Sequence, residues 1–583
     1  MNTHFKSGSP ASLDAISLEV LHNGLRSIAD EMYIALMKSA YSTNIKERHD
    51  HSTCIMDLHG RAVVQAQLTQ AVHLYSMNGN VAAILARYQS EELQPGDIFI
   101  SNDPYAANGS HLPDVNFAMP VIIDGRAIGF VCNIAHHADI GGMAPGSMSS
   151  AMTEIYHEGL RIPLVRLFRA GEVNNDLLDM ILLNVRLPRE RRGDFFAQVA
   201  ACRLGHRRME ELAQRYPCDT LEAAFDEIIG RTERRMRAAI ADIPSGVYRF
   251  EDVMDDDGQG NQDIPIRVAV EIKGDRLRFD FTGSAPQVQG NINCPLNATQ
   301  SSLAYVIKSL LDPTIANNHG VISCIEVKTE PGTLVDPSFP AAVAYRAHTC
   351  QRIVDVVLGA LAIALPDRVP AASNGSNTTA VFSGIDPRTG TEYLYLETYG
   401  GGGGGRPNKD GKDGVQQHIA NTANLPVEAI ETEYPLRVEE YCLAVDSGGA
   451  GKFRGGLALK RVIRPVGHTC LFTGAGERFR NPPWGLNGGL PGLVGGFSII
   501  HNDGTTRDLP NKPHPLQISM DERLVIRSPG SGGYGSPSER SLSALAVDFV
   551  SGKYSTQYIA EQYGVAPQAL WEAYDPNAAD YSE

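Results

Sequence analysis

The sequence predicts an α+β, multi-domain protein with a helix-rich N-terminal part and a β-rich C-terminal half. Three observations carry this reading. Apolar residues recur at helical spacing in several blocks before residue 243. Short alternating runs broken by Asp-Gly and Gly-Asp turns begin after Ile243-Pro244-Ser245-Gly246. Residues 393–527 are dense in glycine, strand-like runs and turns. A chain of 583 residues is several times the usual domain size, so more than one hydrophobic core is expected.

Taken in order, residues 14–40 place Ile16, Leu21, Leu25, Ile28, Met32, Ala35 and Leu36 mostly three and four apart, which predicts one long amphipathic helix. Residues 53–57, 62–65, 97–101 and 116–133 are apolar and β-branched and bounded by Gly, Asp and Pro, as strands are. Helical patterns return at 175–216 and 220–241. Basic runs at 189–192 and at Arg207-Arg208 fit a solvated helix face. Beyond the boundary near residue 243, strands are predicted at 247–250, 266–272 and 276–281, helices at 298–311 and 351–365, and helix again over 541–574. The expected organisation is an α+β domain over residues 1–243 that carries the candidate metal residues, a mixed β/α domain over 244–370, a Gly-rich β domain over 371–540 and a C-terminal helical segment over 541–583.

Composition narrows the function. Apolar residues at 43% and charged residues at 20% match ordinary folded proteins rather than disordered ones. A net charge of −16 disfavours a nucleic-acid partner, whose phosphates require clustered Lys and Arg. Nine cysteines, scattered and never in a C-x-x-C pair, suit reduced thiols in a cytosol. Residues 1–12 are polar, unlike a signal peptide. No run approaches the roughly 20 apolar residues of a membrane helix. A cytoplasmic protein without a membrane partner is expected.

The chemistry concentrates in Asn102-Asp103-Pro104-Tyr105, Gly109-Ser110-His111-Leu112-Pro113-Asp114 and Ala135-His136-His137-Ala138-Asp139. Two apolar runs flank Asp124-Gly125, the dipeptide of a two-residue type I′ hairpin turn, in which both positions need positive φ. Counting outward, Ile123 faces Arg126, and an unbroken register sets Asp114 opposite Ala135, with His136 beside it. His111, Asp114 and His136 then meet at one end of the hairpin. Mixed His and Asp donors suit Zn²⁺, Mn²⁺ or Fe²⁺ better than Ca²⁺ or Mg²⁺. So few protein ligands leave open positions for Lewis-acid or metal-hydroxide chemistry. Polar loop residues that merely hydrogen-bond would give the same pattern. His137 and Asp139 are candidates for orienting groups or catalytic bases, with an ordinary turn as the alternative.

Three further clusters stand out. Glu47-Arg48-His49-Asp50-His51 gathers ionisable groups ahead of a strand, and Asp50 is the one that would join the metal set; a surface charge cluster is the alternative. Glu154, His157 and Glu158 stand at helical spacing, as in a solvated helix end. Residues 400–405 satisfy G-x-G-x-x-G, but Arg406-Pro407-Asn408 does not open the helix a dinucleotide site needs, so a tight backbone loop is expected there, lining a substrate or subunit channel.

These blocks resemble the hydantoinase B/oxoprolinase family over nearly the whole chain. The resemblance runs through Asn44-Ile45-Lys46-Glu47-Arg48 with Asp50, His73-Leu74, Asn102-Asp103-Pro104, Ser110-His111 with Asp114, and His136-His137 with Asp139-Ile140-Gly141-Gly142. It continues in Glu158-Gly159-Leu160-Arg161, Tyr434-Pro435-Leu436, Asp446-Ser447-Gly448-Gly449 and Gly533-Tyr534-Gly535. It implies metal ligands at His111, Asp114 and His136, with Asp50 as a further ligand, and a separate A-type subunit that binds ATP and phosphorylates the substrate. It also implies ring opening of a hydantoin, oxoproline or lactam by this B-type chain, or carboxylation of a ketone-derived enol. His49, His51 and Gln67 depart from the family pattern around these positions.

Overall fold

The protein is described here by a computed structural model covering residues 14–574. The polar stretch 1–12 and the last nine residues of the expected C-terminal segment lie outside the described residues. The class is α+β, dense in helix at the N-terminal side and in sheet towards the C-terminus.

The first helix, Ala15–Ser39, begins where the Asp14 carboxylate accepts from the Ile16 and Ser17 amides at 2.9 and 3.0 Å, an N-cap that satisfies two otherwise orphaned donors. It buries Leu21, Leu25, Met32 and Leu36 against a seven-stranded sheet. That sheet consists of β1 (His51–Met56), β2 (Ala62–Gln65), β3 (Ile98–Ser101), β4 (Asp114–Ile123), β5 (Arg126–His136), β6 (Val165–Arg169) and β7 (Glu172–Val173), in the order β2-β1-β5-β4-β3-β6-β7. Its paired neighbours run antiparallel.

Because side chains alternate along a strand, the two faces feed two cores. Ile55, Val115, Val131 and Ala135 pack with Ala15–Ser39 and with the helices Pro188–Ala213 and Cys218–Ala241. Cys54, Ala118, Cys132 and Ile134 turn the other way, into a core shared with the helices Leu74–Arg87, Leu296–Leu311 and Arg346–Ala364. Leu74–Arg87 was not expected from the sequence. Its amphipathic pattern is interrupted by Asn78, Gly79 and Asn80, of which Asn80 is buried to accept from the Ser101 hydroxyl at 2.8 Å. The helical pattern over 175–216 divides in two, Asn175–Leu183 and Pro188–Ala213, because Leu187 takes a left-handed φ of 54° before Pro188. Proline disfavours a helical residue ahead of it and starts helices well.

A second sheet, β8 (Gly246–Asp256), β9 (Gln262–Lys273), β10 (Arg276–Asp280) and β11 (Ile325–Lys328), packs on Arg346–Ala364. That helix is long and apolar enough to cross a membrane by length and composition, yet 89% of its most apolar window is buried inside the protein. It is the spine of a core. A four-stranded sheet led by Thr379–Ile385 and Glu392–Thr398 and a five-stranded sheet from Leu436–Leu443 to Arg523–Arg527 complete the β-rich half, followed by three short helices ending at Ala573. The nine cysteines are all free.

Candidate metal centre

The hairpin turns at Asp124 and Gly125, whose φ values of 48° and 79° are both positive, as a type I′ turn requires. Ile123 pairs with Arg126 and Ile122 with Ala127, but Val121 pairs with Gly129, leaving Ile128 as an extra residue. This β-bulge moves every later pair by one. Asp114 therefore faces His136 itself, not Ala135 as an unbroken register predicted. On the other flank His51 pairs with Ala135, and the His136 amide donates to the Asp50 carbonyl at 3.0 Å. Asp50, one residue ahead of β1, thus stands beside His136 of β5, which faces Asp114 of β4. Directly opposed residues project on one face, here the face away from the first helix.

His111 joins from the turn ahead of β4, where the Asp114 amide donates to the His111 carbonyl at 3.1 Å. The donor atoms of His111, Asp114 and His136 lie within 4.8 Å of one another, all buried. Asp50, His73 and Arg346 line the same cavity, whose free volume is about 40 Å³, enough for an ion with water.

Hydrogen bonding orients the set. His111 donates Nδ1–H to the Ala344 carbonyl at 3.1 Å, which leaves its Nε2 lone pair buried and unpartnered, 3.3 Å from Asp114 Oδ2. This is the tautomer a metal-ligating histidine adopts, with the far nitrogen held by a carbonyl. Asp114 Oδ2 accepts from Ser110 and Arg346, while Oδ1 has no hydrogen-bond partner and lies 3.6 Å from His73 Nε2. Asn44 Nδ2 lies 2.9 Å from His136 Nδ1 and donates to the His136 carbonyl at 2.8 Å; its own oxygen accepts from Arg48. With Nδ1 accepting, the neutral His136 ring carries its hydrogen on Nε2. A cation taking that nitrogen requires the other tautomer, with the hydrogen moved to Nδ1. Two orphaned buried acceptors, His111 Nε2 and Asp114 Oδ1, and a neighbouring imidazole fit a divalent transition metal.

Electrostatics agree with that donor set. Burial, reinforced by Arg346, keeps His111 below the ordinary histidine range. Burial and then His111 hold His136 well below it. Burial would raise Asp114, but His111, Arg346 and His73 together keep its carboxyl well below the usual carboxylate range. The result is two neutral imidazoles and one carboxylate. Asp50 is pushed upward by burial against the opposing pull of His73 and Arg48.

The structure brings His111, Asp114, His136 and Asp50 together and leaves His137 and Asp139 outside. His137, one residue past β5, points the opposite way, packs its ring at a tilt against Phe195 with centroids 4.6 Å apart and donates Nε2–H to Gln198 at 2.9 Å. Asp139 accepts from the Gly141, Gly146 and Arg186 amides at 2.8, 3.0 and 2.9 Å and pins the loop after β5. Glu158 is not a solvated helix end. It is fully buried, accepts from the Val343 and Ala344 amides at 2.6 Å each, and is pushed up to about 8 by burial. Through the Ala344 peptide it braces the carbonyl that orients His111. Glu154, by contrast, is exposed. Arg346, His73 and Asn44 are site residues to which the sequence reading gave no role. Arg346 opens a long helix that also carries Arg352 and Asp355, so its charge alone did not single it out.

The hydantoinase B/oxoprolinase family model matches residues 14–537. An uncharacterized protein of Methanocaldococcus jannaschii is 38% identical over 556 residues, covering 95% of this chain and 96% of its own. The caprolactamase subunit beta of Pseudomonas jessenii is 31% identical over 570 residues, covering 95% and 96%. Among solved structures, the ATP-dependent caprolactamase from Pseudomonas jessenii superposes with a TM-score of 0.89 at 28% identity, covering 97% of this chain and 99% of that one.

Proposed function

The chain belongs to the hydantoinase B/oxoprolinase family, and on that premise we propose that it is the metal-dependent subunit of an ATP-dependent cyclic amide hydrolase. The observation that carries this reading is the buried His111, Asp114 and His136 cluster with its two unpartnered acceptor atoms. The match along nearly its whole length to a caprolactamase subunit supports a cyclic amide as substrate. Hydantoin, oxoproline and lactam rings share the amide that such a site opens. An A-type partner binds ATP and phosphorylates the ring carbonyl oxygen; water then attacks that carbon and the C–N bond breaks to leave a free amine and an acyl phosphate, which a second water hydrolyses to carboxylate and phosphate. The free thiols agree with a reducing, cytoplasmic setting.

His111, Asp114 and His136, with Asp50 as a further ligand, hold a zinc, manganese or iron ion in this reading. When bound, the ion supplies Lewis acidity at the reacting carbon. The chain's own residues do the rest. Arg346 and Ser110 fix the Asp114 carboxylate. The Ala344 carbonyl sets the His111 tautomer. Asp50, whose side chain accepts no hydrogen bond from the described residues and whose carboxyl burial raises, lines the cavity and takes the proton of the attacking water when it is not a ligand. His137 and Asp139 serve this chemistry by bracing β5 and its following loop.

Purified A and B chains incubated with hydantoins, oxoproline and lactams test the proposal. ATP cleavage that depends on the cyclic amide, with ring opening that falls by about a thousandfold in His111→Ala, is the expected result. Absence of cleavage with every cyclic amide overturns it. Incorporation of labelled bicarbonate into a ketone would replace hydrolysis by carboxylation.

A further inference from the structure

Outside the metal cavity two clefts of about 900 and 460 Å³ run together, sharing Tyr305, Ser309, Gln417 and His418. The protein carries a net charge of −16, yet these clefts collect cations. The larger sets Arg26, Arg231, Arg235 and Lys308 against Glu19 alone. The smaller sets Arg368, Arg406 and Lys412 against Asp367. Arg231 and Arg235 are taken up by Glu19 and Asp312. Lys308, Arg406 and Lys412 form no ion pair with any described carboxylate, and the Arg406 guanidinium reaches only the Asp410 carbonyl. Burial lowers Lys308 from the ordinary lysine range, a cost that a bound anion relieves.

The junction holds an oriented imidazole. His418 sits in left-handed backbone at φ 54°, and its Nε2 donates to Asp355 Oδ1 at 3.2 Å. Asp355 is fully buried and is itself fixed by Arg478 at 3.0 Å and by the Ser373 amide at 3.3 Å. His418 Nδ1 has no protein partner among the described residues. With Nε2–H given to Asp355, only the imidazolium carries a second hydrogen, on Nδ1, to donate to an anion, and a bound anion favours that form. The clefts also abut the metal cavity. Ala420 lines both the larger cleft and that cavity, and the Gln70 side chain accepts from the Asn421 amide, closing the wall between them.

We propose that the joined clefts bind a small molecule bearing a phosphate group, with Lys308, Arg406 and Lys412 as cationic contacts and His418, oriented by Asp355, donating to a phosphoryl oxygen. The choice of phosphate over other anions rests on the hydrolase reading, in which the substrate arrives phosphorylated and phosphate departs. The seat lies one wall from the metal, where such a molecule waits or its phosphate leaves.

Titration of the full chain with inorganic phosphate, followed by calorimetry, tests this. The Lys308→Gln/Arg406→Gln variant is expected to bind about tenfold more weakly, and His418→Gln to bind more weakly as well. Lys412 is exposed, so Lys412→Gln probes the seat without touching the core and should also weaken binding. His111→Ala should bind as the unaltered chain does. Phosphate affinity unchanged in the cleft variants, affinity lost in His111→Ala alone, or no binding by the unaltered chain each overturns the proposal. Amide-dependent ATP cleavage measured on the same variants reports separately on the hydrolase reading: turnover without a phosphate seat removes only the seat, and a seat without turnover removes only the hydrolysis.

Discussion

Arg346 and Glu158 are the residues on which the metal cavity leans, for opposite reasons. The Arg346 guanidinium bonds Asp114 in a site where both side chains are almost wholly buried. Removing one partner of such a pair leaves a buried charge uncompensated, so Arg346→Ala is expected to cost about 3 kcal/mol or more in urea unfolding and to weaken metal binding. Glu158 is held protonated by burial, with its folded value at about 8 against an ordinary 4.5. The native state therefore keeps a proton that the unfolded chain releases. The contribution is fully present below about 4.5, falls as pH rises through the window to about 8, and is constant above it, with a slope of at most about 1.4 kcal/mol per pH unit. Glu158→Gln keeps an acceptor for the Val343 and Ala344 amides. Its unfolding free energy should lose that slope, and an unchanged pH profile would contradict the assignment.

At the scale of elements, two glycines make opposite predictions. Gly24 lies inside the helix Ala15–Ser39 with no atom within 4 Å of an added Cβ. Gly24→Ala should stabilise by roughly 0.5–1 kcal/mol, read as a raised melting temperature. In the glycine-rich loop, a Cβ on Gly404 would stand 1.9 Å from the Ala371 carbonyl oxygen. Gly404→Ala should cost about 3 kcal/mol, measured in the same melts. The tight loop and the type I′ turn were legible because the residue types there answer a local backbone demand. The bulge at Ile128 was not, since nothing in an apolar strand marks which residue is left unpaired, and it moved the partner of Asp114 from Ala135 to His136. The face of His137 follows from that same register. The helix Leu74–Arg87 escaped notice because Asn78, Gly79 and Asn80 break its apolar stripe for the sake of contacts made elsewhere in the chain.

For the whole molecule, fold class and the His111, Asp114 and His136 grouping were readable from the sequence, because one hairpin carries most of the geometry. Arg346, Asn377, Leu396 and Thr422, which close the cavity from distant segments, were not, since long-range packing has no local sign. A site assembled from so many segments couples metal binding to global stability. A chelator should lower the melting temperature, and reloading the ion should restore it. The most direct measurement is elemental analysis of the purified chain beside its His111→Ala and His136→Ala variants, with circular dichroism to verify folding. The account predicts a stoichiometric divalent transition metal in the unaltered chain and its loss from both folded variants. A chain without such an ion, or variants that retain it, would contradict the account.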